Sequence, residues 1–320
     1  MKKNIFTYKD ISTYRSEIMG WSIIWIMMLH FTFHQIKSLG FLSQYGFAGV
    51  DIFLFVSGFG LYFSLKKESK YFSFYKKRLF RIFPTYYLLG LIASIFLFHD
   101  NILTYLYRYT TLGFWIGSIY WEWYIPSLIL LYLLAPFFKK MIERKMYFTY
   151  LFLIIACLAC SLFLIDKDII NREHFFTLYR IPAFLFCIIS AYWLENNYST
   201  KHFYLLIIVG ISIFILLYPN HHLVYNYKYF SLLFLLPTFI LAFILLSKHM
   251  KCLNPIISEI GKSSLEIYLI QSIIFSAIIQ ELIVISPKWH DTLTFTLIIV
   301  CSVLGISVHW LINHSSIYHK

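Results

Sequence analysis

The sequence predicts an all-α integral membrane protein of about ten transmembrane helices with both termini in the cytoplasm. Three observations predict it. Of 320 residues, 60% are hydrophobic and only 13% are charged, against about 45–50% and about 25% in a soluble domain. Apolar runs close to or longer than the roughly 18 residues needed to cross a bilayer recur along the whole length. Lys and Arg gather in alternate segments between those runs. Mean hydropathy is +0.71. A soluble enzyme, a disordered chain and a secreted disulfide scaffold are excluded. An outer-membrane barrel needs alternating strands of about 10 residues, whereas these runs are apolar on every side.

Ten spans can be drawn, at roughly 17–35, 45–65, 79–98, 123–138, 147–165, 180–195, 203–218, 229–246, 263–283 and 293–312. With the N-terminus inside, 20 of the 27 Lys and Arg residues fall in inner segments and 7 in outer ones, the bias expected of cytoplasmic loops. That bias accounts for the net charge of +12 without a nucleic-acid partner. The start, MKKNIFTYKDISTYR, is polar with no cleavage pattern, so the first apolar segment is retained. The segment 103–121 is aromatic and semi-polar and reads as an interfacial or re-entrant piece. Residues 1–320 are expected to form a single transmembrane domain without a soluble domain. No internal repeat is visible, which counts against transporter folds built from duplicated halves. Of five cysteines, four lie in apolar runs. Cys157 and Cys160 spell CxxC within LIIACLACSL, a membrane-core stretch, so no metal or redox site is expected.

An ionisable group inside a span costs about 2.5–3.5 kcal/mol on insertion scales, so each needs a reason. His30, in GWSIIWIMMLHFTF, lies about 20 Å along the first span from its inner edge, in the outer half. Asp51, in FAGVDIFLFVSGFGL, enters from outside on the next span at a similar depth. A buried His beside a carboxylate makes a base and its orienter. The bland alternatives are a packing His and an Asp paired with another helix. His34, one turn above His30, reads as an interfacial residue. Gly46, Gly49, Ser57, Gly58 and Gly60 fit close helix approach, or a slot for a thin substrate. Arg78 and Arg81, three apart at an inner helix edge with Pro84 just beyond, serve as topology determinants or as a phosphate grip. Glu266 sits near the inner interface, where it can snorkel or cap. Gln271 is deeper and suited to bonding across helices.

Taken together, five blocks resemble the membrane-bound acyltransferase-3 family, the O-acyltransferases that modify bacterial cell-surface carbohydrates. GVDIFLFVSGFGL at 49–61 resembles the second-helix signature, and RSEIMGWSIIWIMMLH resembles the first helix that ends in an essential His. FYKKRLFRIFPTYY resembles the RxxR-plus-Pro block, mapping its arginines to Arg78 and Arg81. WYIPSLILLYLLAPF and SSLEIYLIQSII supply two further blocks in the family's order. Two departures stand out. Met19 occupies the place of the usual first-helix Arg, with Arg15 one turn earlier and about 60° from the His30 face rather than about 20°. Gln271 stands where relatives often carry His.

The resemblance implies transfer of an acyl group, most simply acetyl, from cytoplasmic acyl-CoA to a carbohydrate hydroxyl at a multi-pass site in the bacterial inner membrane. No cofactor is held permanently, and acyl-CoA is a co-substrate. It assigns His30 as base with Asp51 holding its tautomer, and Arg78, Arg81 and Arg15 to the CoA phosphates. Direct transfer and a covalent acyl-His both fit. The competing class is a carrier, a transporter or flippase for a sugar or lipid-linked glycan, since intramembrane charges also mark transport paths. A structural scaffold is the third class. Binding or hydrolysis of acetyl-CoA separates the transferase from the other two.

Overall fold

The computed structural model describes residues 6–68, 70–116, 123–166, 172–217, 232–280 and 289–314. Among the described residues the regular structure is helical throughout, and each of the ten apolar segments carries a helix. We number these α1 (Arg15–Phe31), α2 (Ala48–Lys67), α3 (Tyr71–Ala93), α4 (Tyr124–Glu143), α5 (Tyr147–Asp166), α6 (Ile181–Glu195), α7 (Lys201–Leu217), α8 (Leu236–His249), α9 (Ser264–Ile279) and α10 (His290–His314). By length and composition six of the described helices can cross a membrane. A seventh joins them if the short helix Asn254–Lys262 and α9, bent by 73° at their junction, form one span. The segment expected to be interfacial holds two short helices, Ile102–Tyr109 and Leu112–Trp115; its residues 117–121 lie outside the described residues.

Local chemistry explains the boundaries. Pro182 and Pro237 sit in the first turns of α6 and α8, where a missing N–H costs nothing. Lys66 and Lys67 end α2, where cations favour the carbonyl end of the helix dipole. Exposed aliphatic side chains such as Leu151 and Ile155 on α5, Ile208 on α7 and Ile299 and Val303 on α10 form an outer apolar surface. Only lipid satisfies such a surface at this extent.

The inner bundle is built on α1, α2 and α6, with α9 and α10 against α1. Glycine sets its spacing. Gly46, in the turn before α2, and Gly49 of α2 lie on the α1 backbone at Trp25 and Ser22, and Gly58 of α2 lies on Phe184 and Cys187 of α6. Gly20 of α1 meets Gly261 at the end of the short helix, and a Cβ on Gly261 would strike the Ser16 carbonyl. Small residues permit this backbone approach between membrane helices. The far end of α1 is held differently. Asp291 at the start of α10 accepts the backbone N–H groups of His34, Gln35 and Ile36 at 2.8, 3.0 and 2.7 Å. The Thr294 hydroxyl donates to the carbonyls of Phe31 and Thr32 at 3.0 and 2.8 Å.

Overpacking of a close contact costs about 1–3 kcal/mol. Gly261→Ala is therefore expected to destabilise detergent-solubilised protein by an amount in that range, read as a lowered melting temperature in thermal denaturation. An unchanged melt would show that the α1 crossing is loose.

Candidate active site

A cavity of about 430 Å³ occupies the middle of the bundle between α1, α2, α3, α4, α9 and α10. One end is basic: Arg15 and Ser16 from α1, Arg78 and Arg81 from α3, Lys262 and His309. The other is apolar: Ile26, Val50, Phe53, Leu128, Tyr124 and Tyr268. Met19, Ser57, Ile82, Tyr132 and Leu265 lie between, with Ser57 and Tyr132 joined hydroxyl to hydroxyl at 2.9 Å.

The four cations of the basic end are not alike. Arg81 is taken by Glu266: Nη1 donates to Oε1 at 2.7 Å, and that carboxylate is fully buried. His309 approaches the same oxygen at 3.3 Å through Nδ1, while its Nε2 faces the Asn313 amide at 2.9 Å. Lys262 pairs with Glu259 at 2.6 Å. Arg15 and Arg78 form no ion pair with a carboxylate among the described residues. They are electrostatic neighbours of each other, and Arg78 Nε is buried without a hydrogen-bond partner. Like charges held together in a partly dry cavity favour an anion between them. The Arg15 guanidinium rests on Gly60, where a Cβ would press on it. The expected Arg78–Arg81 grip is thus divided: Arg81 is bonded to a carboxylate, whereas Arg15 and Arg78 have none bonded to them among the described residues, Glu68 acting on Arg78 only from a distance.

His30 lies beyond the apolar end. Arg15, Met19, Ile26 and His30 run up one side of α1, and His30 stands four residues past Ile26, about 6 Å along the axis. It does not line the cavity itself among the residues that do. Its ring stacks on Phe275 of α9, centroids 4.7 Å apart. Gln271 is its polar side-chain neighbour, although His30 Nδ1 and both amide atoms of Gln271 are buried without a formed hydrogen bond. Gln271 thus meets a polar side chain of another helix, as its depth suggested.

Asp51 does not orient His30. Its carboxylate pairs with Arg180 Nε at 3.1 Å, both side chains buried to 2% exposure or less. Trp123, Phe176 and Tyr179 surround that guanidinium, with ring centroids at 4.7, 5.2 and 4.6 Å. Helical register explains the correction. Gly49 faces α1, and Asp51, two residues on, points about 200° away. It shares the face of Gly58, seven residues later, which packs on α6. Of the alternatives left open by the sequence, pairing with another helix is the one realised.

A sequence profile of the acyltransferase domain of the acyltransferase-3 family matches residues 20–312. The chain belongs to that family. It is a multi-pass membrane acyltransferase. No curated protein and no solved structure matches it in the comparisons made. Within the acyltransferase, His30, Asp51, Arg78 and Arg81 fall inside the matched stretch, and Arg15 lies five residues before it. Among the cavity residues that reading the sequence left unremarked are Tyr124, Tyr132, Tyr268 and His309. It also placed Arg180 in an outer loop. Their only sequence signal was polarity at the ends of apolar runs, which interfacial residues share.

Breaking a buried ion pair costs about 3–5 kcal/mol because one charge is left alone, whereas replacing both partners is often neutral. Asp51→Ala is expected to destabilise the acyltransferase on that scale, with Arg180→Met added on top restoring most of the loss. An Asp51 variant that keeps its melting temperature and loses only turnover would return Asp51 to the chemistry.

Proposed function

We propose that the protein moves an acyl group, most simply acetyl, from acyl-CoA to a hydroxyl of a cell-surface or lipid-linked carbohydrate. The observation that carries this reading is the cavity: two unpaired arginines at one end, and at the other an imidazole one helical turn away on the same helix. Arg15 and Arg78 hold the anionic phosphates of CoA, whose charge they match. The pantetheine arm follows α1 past Met19 and brings the thioester to the apolar end. An acceptor oxygen about 3 Å from the thioester carbonyl, hydrogen-bonded over about 3 Å to His30, spans the remaining 6 Å or so. His30 takes the hydroxyl proton as the oxygen attacks the carbonyl carbon. The carbon–sulfur bond breaks, the acyl group stays on the acceptor, and the proton passes to the CoA thiolate. Base assistance of this kind contributes about 10²–10⁴-fold.

The same reading sets the membrane topology. The six qualifying helices, the bent pair, α1, α7 and α8 make ten spans, with both termini and the basic mouth on the cytoplasmic side of a bacterial inner membrane. The Lys and Arg bias supports that orientation.

Transfer of labelled acetyl from acetyl-CoA by purified protein, together with mass spectrometry of surface glycans from a deletion strain, tests the function. Loss of an acetyl mass is expected, and unchanged glycans with no donor turnover would overturn it. His30→Ala is expected to reduce transfer by at least 10²-fold at unchanged melting temperature; activity within a few-fold of the parent would remove the base.

Hydrogen bonds to charged groups contribute about 1.5–3 kcal/mol, so Arg78→Ala is expected to weaken CoA binding about tenfold to a hundredfold, read by calorimetry. Arg81→Ala is expected to lower the melting temperature more than Arg78→Ala does, because it leaves Glu266 buried without its cation. Equal effects of the two on CoA affinity and on the melt would refute the division between them.

A further inference from the structure

Two hydroxyl groups face the middle of the cavity. Ser57 of α2 and Tyr132 of α4 both line it, and their oxygens lie 2.9 Å apart. From Ala48 to Phe59 every residue of α2 is buried except Ser57. Ser57 stands three residues before Gly60, on which the Arg15 guanidinium rests, so it lies about 4.5 Å along the α2 axis toward the apolar end. Tyr132 approaches the same place from α4, where it is an electrostatic neighbour of Arg15. The pair is a polar station one turn beyond that arginine, in a lining that turns apolar at Phe53, one turn further on. Its bonding capacity is not used up. A serine hydroxyl carries one hydrogen and two lone pairs, and a tyrosine hydroxyl also both donates and accepts. Their mutual bond uses one hydrogen, which leaves one hydrogen to donate and lone pairs to accept. Side by side, the two hydroxyls therefore offer a donor and an acceptor.

We propose that Ser57 and Tyr132 bind a secondary amide of the donor's pantetheine arm. The inference rests on the acyl-CoA reading of the cavity. A secondary amide is the complement of the pair, since its carbonyl accepts and its N–H donates. A hydrocarbon chain offers neither. The pantetheine arm carries two such amides between its phosphate and its thioester, and with the phosphates at Arg15 and Arg78 it passes Ser57 on its way along the cavity. An amide drawn out of water without a partner loses the hydrogen bonds it made there. The hydroxyl pair replaces them at the point where the lining ceases to be charged, so an arm with amides is favoured there over a plain alkyl chain.

The test compares acetyl-CoA with adenosine 3′,5′-bisphosphate, which keeps the nucleotide end of the donor and has no arm, by calorimetry on purified protein in lipid nanodiscs. The wild-type chain is expected to bind acetyl-CoA at least tenfold more tightly than the bisphosphate. Tyr132→Phe keeps the ring and removes one hydroxyl. It is expected to weaken acetyl-CoA about threefold to tenfold, the scale of one neutral hydrogen bond, and to leave the bisphosphate within twofold. Ser57→Ala is expected to do the same from α2 should Tyr132→Phe fail to fold. Equal wild-type affinity for the two probes overturns the proposal. So does a hydroxyl-deleted variant that binds acetyl-CoA as the wild type does, or one that loses affinity for both probes alike, the mark of a link that only holds α2 to α4. Wild-type protein that binds neither probe overturns the donor reading itself, and the amide site with it.

Discussion

Removing a charged side chain from water into an apolar helical bundle costs several kcal/mol unless a counter-charge comes with it. Three buried or half-buried pairs in this protein obey that constraint. Asp51 meets Arg180 across α2 and the start of α6, Glu266 meets Arg81 across α9 and α3, and Asp100 meets Arg108 beyond the end of α3. Each joins segments distant or adjacent in sequence and holds them in one register. Arg15 and Arg78 depart from the pattern, facing one cavity with no carboxylate bonded to either among the described residues. On the proposed reading these two hold the anionic ligand.

The packing that permits this is set by glycine on one face and by hydrogen bonds on another. Gly46 and Gly49 bring α2 onto α1, and Gly20 with Gly261 brings the short helix Asn254–Lys262 onto the basic end of α1. At the opposite end the Asp291 carboxylate gathers three backbone N–H groups directly after α1, in the turn beyond His30. Helix α1 is thereby fixed at both ends, so the axial separation between Arg15 and His30 is a property of the helix rather than of a flexible loop. A fifteen-residue separation at about 1.5 Å per residue gives about 22 Å. On the proposed reading that length is matched to the reach of the donor.

Much of the fold was legible in the sequence, because span-length apolar runs leave helices as the available structure in lipid. Each of the ten predicted segments carries a helix among the described residues, although the third begins earlier and the eighth later than the apolar runs suggest. The site was legible by residue type but not by partner. Arg78, Arg81 and Arg15 do line one cavity, as the charge pattern suggested. Which of them is neutralised depends on Glu266, 185 residues from Arg81 in sequence. Asp51 illustrates the same limit. Its depth matched that of His30, but depth fixes only the position along the helix axis. The angle around the axis was recoverable from the small residues: Gly49 and Gly58 mark opposite neighbours of α2, and Asp51 shares the Gly58 face. His309, Tyr124 and Tyr268 carried no comparable mark, since polar and aromatic residues near helix ends are common at any membrane interface.

The first-helix arginine shows how a departure in sequence is absorbed by geometry. The family match begins at residue 20, so nothing in it speaks for Arg15. Met19, at the usual arginine position, lines the middle of the cavity, and Arg15 enters from one turn further down. The angular offset of about 40° between the two positions is small against the reach of an arginine side chain. Gly60 of α2 removes the one Cβ that would stand in its way. Moving the cation one turn toward the mouth also places it beside Arg78 rather than beside the apolar end. A charge at position 19 would sit nearer the apolar end, which on the proposed reading receives the thioester. On the same reading the displaced arginine leaves that lining apolar and concentrates the positive charge where phosphate is held.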